Sequence, residues 1–211
     1  MAAKTDTTPY KGHFKLYLSG LIVSLLVFAA GAFWASSGNP MDWEESLFLS
    51  INGWPEMLYK PMTIIAFAGG GWFAAAAVAT AFATQFYRLA ARLAISILAG
   101  YGLTAICKHL IDRARPDAMV ADAITRATEA GMGYPSTHAA VITIILLTLL
   151  PYLKWRWRFI VPVGILAVCL SRLYLGPHLP LDVVGGVALG VAIVSFVRVL
   201  PQPLRVALRI D

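Results

Sequence analysis

Six apolar stretches, at about residues 16–37, 61–86, 93–111, 136–153, 159–175 and 182–200, account for most of this chain. A helix needs roughly 20 apolar residues to cross a hydrocarbon layer of about 30 Å, and each stretch reaches or approaches that length. The shortest is the fourth, whose core, Ala139 to Leu147, carries no charge. Backbone polar groups in lipid must be satisfied internally, and the alternation expected of barrel strands is absent, so helices are the remaining solution. The sequence therefore predicts an all-α integral membrane bundle of six transmembrane helices, forming one domain over residues 1–211.

Composition excludes the alternatives. With 59% hydrophobic and 13% charged residues and a mean hydropathy of +0.72, the chain is neither a disordered segment nor an ordinary soluble domain. Its two cysteines, Cys107 and Cys169, lie inside apolar runs and cannot form a disulfide scaffold. The first run follows Lys11 and Lys15 and has Ala30-Gly31-Ala32 near its end, as a cleaved signal peptide would. Its apolar core is longer than a signal's, and retaining it keeps the number of spans even.

The net charge of +6 points to membrane topology rather than to a nucleic-acid partner, because the basic residues cluster at span ends. With a cytoplasmic amino terminus, the inner segments hold eleven of the seventeen Lys and Arg residues, including Arg88, Arg92, Lys154, Arg156, Arg158, Arg198 and Arg205. That asymmetry predicts both termini inside, with cytoplasmic segments at 1–15 and 201–211. Trp155 and Trp157 interleave with Lys154, Arg156 and Arg158 as an interfacial anchor. Gly69-Gly70-Gly71 and Ala74 to Ala77 in the second run read as helix-packing positions, and Tyr101 as a core or lipid-facing residue.

The remaining ionisable residues fall into three blocks at outer span ends: Lys108 to Pro116, Tyr134 to His138, and Ser171 to Asp182. Ionisable groups there are candidates for function. Lys108 and Arg115, seven apart, would share a helix face about 10 Å apart along the axis, within reach of one anion. Ser136 stands at a helix start, so the backbone N–H groups of Thr137 and His138 would face outward as an anion site. His178 and Asp182, four apart, pair an imidazole with a carboxylate that fixes its tautomer, and Arg172 adds a planar donor suited to phosphate. Three cations, two histidines and one orienting acid, without a cysteine or carboxylate cluster, suit phosphoryl transfer without a metal or other cofactor.

Lys-x6-Arg-Pro at 108–116, Pro-Ser-Thr-His at 135–138 and Ser-Arg-x5-His-x3-Asp at 171–182 resemble the motifs of the type 2 phosphatidic acid phosphatase family. One position departs, since that family usually has Gly where this chain has Thr137. The resemblance implies that His178 attacks phosphorus to give a phosphohistidine, that Asp182 orients it, and that His138 protonates the leaving oxygen. It further implies that Lys108, Arg115, Ser136, Thr137 and Arg172 bind the phosphate oxygens. His109, Asp112 and Arg113 occupy variable positions of the first motif and are not expected in the site. The segment from Asp117 to Gly133 reads either as an amphipathic flap on the membrane or as a disordered connector.

The expected activity is hydrolysis of a lipid phosphomonoester or pyrophosphate held in the bilayer. An outward-facing site in a cell (inner) membrane favours undecaprenyl pyrophosphate over phosphatidylglycerol phosphate, phosphatidic acid or lipid A, and phosphotransfer would use the same residues. The contrasting class is a non-enzymatic transporter or binder of anionic lipids.

Overall fold

The structure, a computed structural model, describes residues 14–208. The terminal lysines Lys4 and Lys11, His13 and the last three residues lie outside the described part. Among the described residues there are helices and turns but no strand. The helices are α1 (Phe14–Ala35), α2 (Asp42–Asn52), α3 (Tyr59–Phe67), α4 (Gly71–Ala83), α5 (Tyr87–Ile111), α6 (Pro116–Met119), α7 (Thr137–Leu149), α8 (Ile160–Leu175), α9 (Pro180–Val199) and α10 (Gln202–Ala207).

Four of these are long and apolar enough to cross a membrane: α1, α5, α8 with the turn leading into it, and α9. The predicted second span is not one straight helix. It breaks into α3 and α4, bent by 45°, which together can make a fifth crossing. The break lies at the glycine triplet, where a Cβ on Gly69 would stand 2.8 Å from both Cβ and the carbonyl oxygen of His138. The triplet thus lets α7 start close against the bend, a consequence of its lack of side chains.

The fourth run forms α7 and a short turn through Tyr152, about 24 Å long at 1.5 Å per residue and shorter than a full hydrocarbon span. Its positions Ala139 to Ile145 are all buried in protein, so its length is not set by lipid. Against it lies α9, the central helix, whose glycines admit the α7 backbone. A Cβ on Gly186 would come 2.3 Å from the carbonyl oxygen of Ser136. On its other side α9 packs against α1, most of whose surface is apolar and exposed, as suits contact with lipid.

Two apolar clusters hold the bundle together. One joins Leu93, Ile97, Val141, Ile144, Leu189 and Ile193 from α5, α7 and α9. The other joins Phe48, Ile51, Leu173, Tyr174, Leu179 and Val183 beneath the loops at the opposite end. The helix α2 contributes to the second cluster because Glu44, Phe48, Ile51 and Asn52 fall on one face at helical spacing.

Candidate active site

The three sequence blocks meet at one end of the bundle, at the C-termini of α5 and α8 and the N-termini of α7 and α9. The first block is built differently from the single helix face expected. The helix α5 stops at Ile111, and Asp112 takes the left-handed conformation (φ 54°, ψ 36°), which a short polar side chain tolerates. Arg115 therefore leaves the helix that carries Lys108 and stands just before α6, whose first residue is Pro116. The turn still brings both cations to a common cavity.

That cavity has a volume of about 570 Å³ and is lined by Gly70, Gly71, Tyr101, Thr104, Ala105, Lys108, Arg115, Thr137 and His138, together with Glu129 and Ala130. Tyr101 is thus a wall of the cavity rather than a lipid-facing residue. Thr137, the departure from the family motif, places its side chain here, with its hydroxyl 3.3 Å from that of Thr104. Ser136, Arg172, His178 and Asp182 lie deeper, all buried.

Between the cavity and the deep residues stands Glu129. Its carboxylate is ion-paired with Arg172 and lies 3.5 Å from Arg115 Nη1, His138 Nδ1 and His178 Nε2. Burial opposes ionisation of this carboxyl, but the facing His178 and the charge of Arg172 outweigh it and hold the group well below the usual carboxylate range. Glu129 is a site residue that the sequence reading missed. Its one signal was arithmetic: it is the only acid between Asp122 and Asp182, a stretch that carries two of the three blocks.

The segment that carries Glu129 is neither a surface helix nor a disordered connector. Asn52 holds it through Ile124, accepting from its N–H at 2.7 Å and donating to its carbonyl at 2.9 Å. Arg126 donates to the carbonyls of Asn52 and Tyr174 and stacks 4.2 Å from the centre of the Tyr174 ring. Arg115 donates to the carbonyls of Gly131 (2.7 Å), Pro177 (2.8 Å) and Ala130 (3.0 Å). Much of the Arg115 fork is thus committed to backbone, and its approach to Glu129 is the part left for an anion.

His178 is fully buried, with Nδ1 3.5 Å from Asp182 Oδ2 and Nε2 toward Glu129. Neither nitrogen has a hydrogen-bond partner among the described residues, and the same holds for Ser136 Oγ and Arg172 Nε. Asp182 also accepts the Leu179 N–H at 2.8 Å, capping α9. Arg113, set aside by the sequence reading, is buried and ion-paired with Asp182 at 2.8 Å and with Glu44 of α2 at 2.6 Å. Among the described residues, no group of three His, Cys, Asp or Glu is placed to hold a metal ion.

Cations and two histidines gathered around one carboxylate, at the common end of membrane-capable helices, define a membrane-embedded helical protein with a charged cluster at one end of its bundle. The family model of the PAP2 superfamily matches residues 89–205, more than half of the chain, and the chain belongs to that superfamily. Human (Homo sapiens) sphingosine-1-phosphate phosphatase 2 is 36% identical over 89 residues, covering 39% of this chain and 22% of that protein. The mouse (Mus musculus) protein of the same name is 32% identical over 97 residues, covering 43% and 27%. The matched stretches thus span about a quarter of those relatives' length.

Two crystal structures share the fold. LpxE of Aquifex aeolicus superposes with a TM-score of 0.69 at 22% identity, covering 76% of this chain and 96% of that one. The first transmembrane PAP2-type phosphatidylglycerolphosphate phosphatase of Bacillus subtilis gives 0.66 at 23% identity, covering 85% and 92%.

Proposed function

We propose that the protein is a lipid phosphatase that hydrolyses a phosphomonoester or pyrophosphate through a phosphohistidine on His178, without a metal ion. The observation that carries this reading is the Glu129 carboxylate: the protein's own anion is held by Arg172 and faced by Arg115, His138 and His178. A substrate phosphate entering from the cavity takes its place once the Glu129 side chain swings aside.

His178 Nε2 then attacks phosphorus as the bond to the leaving oxygen breaks. His138 gives that oxygen a proton, and the alcohol or lipid phosphate departs. The Nδ1–H of the phosphorylated ring faces Asp182, whose charge offsets the positive charge formed on the ring. Water, losing a proton to His138, next attacks phosphorus and releases inorganic phosphate and His178. Lys108, Arg115, Arg172, Ser136 Oγ and the Thr137 N–H neutralise and hold the transferring group throughout.

In the proposed topology the bent α3–α4 pair is one crossing and α7 a shortened one, so that six spans leave both termini on one side. Arg88 lies in the first turn of α5 and Arg198 in the last turn of α9, at the helix ends opposite those that carry Lys108 and Asp182. By the positive-inside rule the site then faces outward from a cell (inner) membrane. Within the substrate class, undecaprenyl pyrophosphate is favoured by that outward face and by the placing of the cations: Lys108 lines the cavity, whereas Arg172 is buried and paired with Glu129. Two linked phosphates fit such a pair of positions better than one.

The test is phosphate release by detergent-purified protein in EDTA, across undecaprenyl pyrophosphate, phosphatidic acid, phosphatidylglycerol phosphate and sphingosine-1-phosphate. Release in wild type and loss in His178→Ala support the reading. Silence across the panel, or undiminished release in His178→Ala, would favour a non-enzymatic binder of anionic lipids.

A further inference from the structure

Arg113 lies at none of the matched motif positions, yet it is the cation that contacts Asp182. Its Nη1 donates to Asp182 Oδ1 at 2.8 Å and to Glu44 Oε1 at 3.0 Å, and its Nη2 donates to Glu44 Oε2 at 2.6 Å. Glu44 Oε1 in turn accepts the Leu181 N–H at 2.9 Å, so the pair is tied into the first turn of α9. All three charged side chains are at most 1% exposed. The backbones are linked as well: the Gly133 N–H donates to the Arg113 carbonyl at 2.8 Å, and the Ser136 N–H to that of Asp182 at 2.9 Å.

Asp182 thus has one oxygen held by Arg113 and the other by the Leu179 N–H, which fixes the plane of the carboxylate. The second of these oxygens is the one 3.5 Å from His178 Nδ1. Charge points the same way. Arg113 alone would neutralise Asp182 and leave little negative charge for His178; Glu44 neutralises Arg113 instead, so the trio keeps a net charge of −1 beside the imidazole. A buried trio of charges is a poor source of stability, which makes a role in setting geometry the better explanation of its presence.

We propose that Arg113 and Glu44 are positioning residues for phosphoryl transfer: they hold the Asp182 carboxylate in the plane and charge state that orient His178, and they never touch the phosphate. This rests on the phosphatase reading above for its kinetic test but not for its structural one.

The kinetic test compares Arg113→Gln, Glu44→Gln, Asp182→Asn and the Arg113→Gln/Asp182→Asn double variant in detergent-purified full-length protein. Because the phosphate ligands are untouched, each single variant is expected to lower kcat by about tenfold or more while KM and inhibition by inorganic phosphate stay within about twofold. Groups acting through one another are non-additive, so the double variant should be no slower than Asp182→Asn alone. Multiplying losses, or a raised KM at unchanged kcat, would overturn the proposal. Should Arg113→Gln fail to fold, as judged by gel filtration, Glu44→Gln and partial rescue by Arg113→Lys carry the test.

The structural test is independent of turnover. In protein labelled with 15N-histidine, His178 should show a single tautomer with its proton on Nδ1 in wild type and an averaged ring in Arg113→Gln and Glu44→Gln. An unchanged His178 tautomer in both variants would sink the positioning role even if the protein were a phosphatase. A changed tautomer in a protein inactive on every lipid phosphate would support it while refuting the phosphatase reading.

Discussion

Glu129→Ala should make the protein bind phosphate more tightly. In the structure the carboxylate is paired with Arg172 and faces Arg115, His138 and His178, the groups that the proposed mechanism assigns to the phosphate. A charge-assisted hydrogen bond contributes about 1.5–3 kcal/mol, and the substrate has to displace at least the one to Arg172. At about 1.4 kcal/mol per factor of ten, that cost corresponds to roughly 10–100-fold in affinity. The alanine variant removes it and leaves the cations unpaired, so inorganic phosphate and orthovanadate should inhibit more strongly by about that factor. Glu129→Gln, which still offers Arg172 a neutral acceptor, should fall between alanine and wild type. Competitive inhibition constants measured in detergent at fixed ionic strength provide the assay. Equal or weaker inhibition of Glu129→Ala would show that the carboxylate supports the phosphate site rather than competing for it.

The same carboxylate should leave a mark on stability. Its folded-state pKa is depressed, so its contribution is fully present above the unfolded carboxylate value of about 4.3 and is lost as pH falls through the lower folded value. Thermal unfolding should therefore show Glu129→Gln below wild type in Tm by a constant gap from neutral pH down to about 4.3, closing only in stronger acid; a gap that closes on the neutral side of that value would contradict the pairing. Packing of α7 on α9 gives a further outcome. Gly186→Ala puts a methyl 2.3 Å from the Ser136 carbonyl, a backbone atom that cannot step aside, and should cost about 1–3 kcal/mol together with most of the activity. Gly102→Ala, with no atom within 4 Å of its Cβ, should be tolerated in both Tm and phosphate release.

What the sequence made legible was local. Lys108, Arg115, Ser136, His138, Arg172, His178 and Asp182 stood out because each block is short and lies at the end of an apolar run, where charge needs a reason. The all-helical architecture followed from run length. What escaped was set by contacts between distant parts of the chain. Glu44 is one of three acids in the first turn of α2, and only the approach of α2 to α9, across 137 positions, gives it the Leu181 N–H. Arg113 lies between motif positions of one block, and its meaning depends on Asp182, 69 residues away. Glu129 sits in a segment where Val120, Ile124 and Ala127 stand at helical spacing, yet its course is fixed by Asn52 and Arg126 rather than by that pattern. The break at Gly69 to Gly71 was hidden for a similar reason: glycines suit packing in a straight span as readily as a bend, and the close approach of His138 decides between them.

If a phosphoryl group passes through His178 during turnover, it can be trapped there. Wild-type protein, quenched within milliseconds of mixing with a 32P-labelled lipid phosphate in EDTA, should carry label that is stable in alkali and labile in acid, as a phosphoramidate is. Mass spectrometry should place it on His178, and His178→Ala should carry none. Turnover of the lipid without labelled protein at any time, or label and turnover surviving in His178→Ala, would contradict the mechanism and leave the buried cations as a site for binding alone.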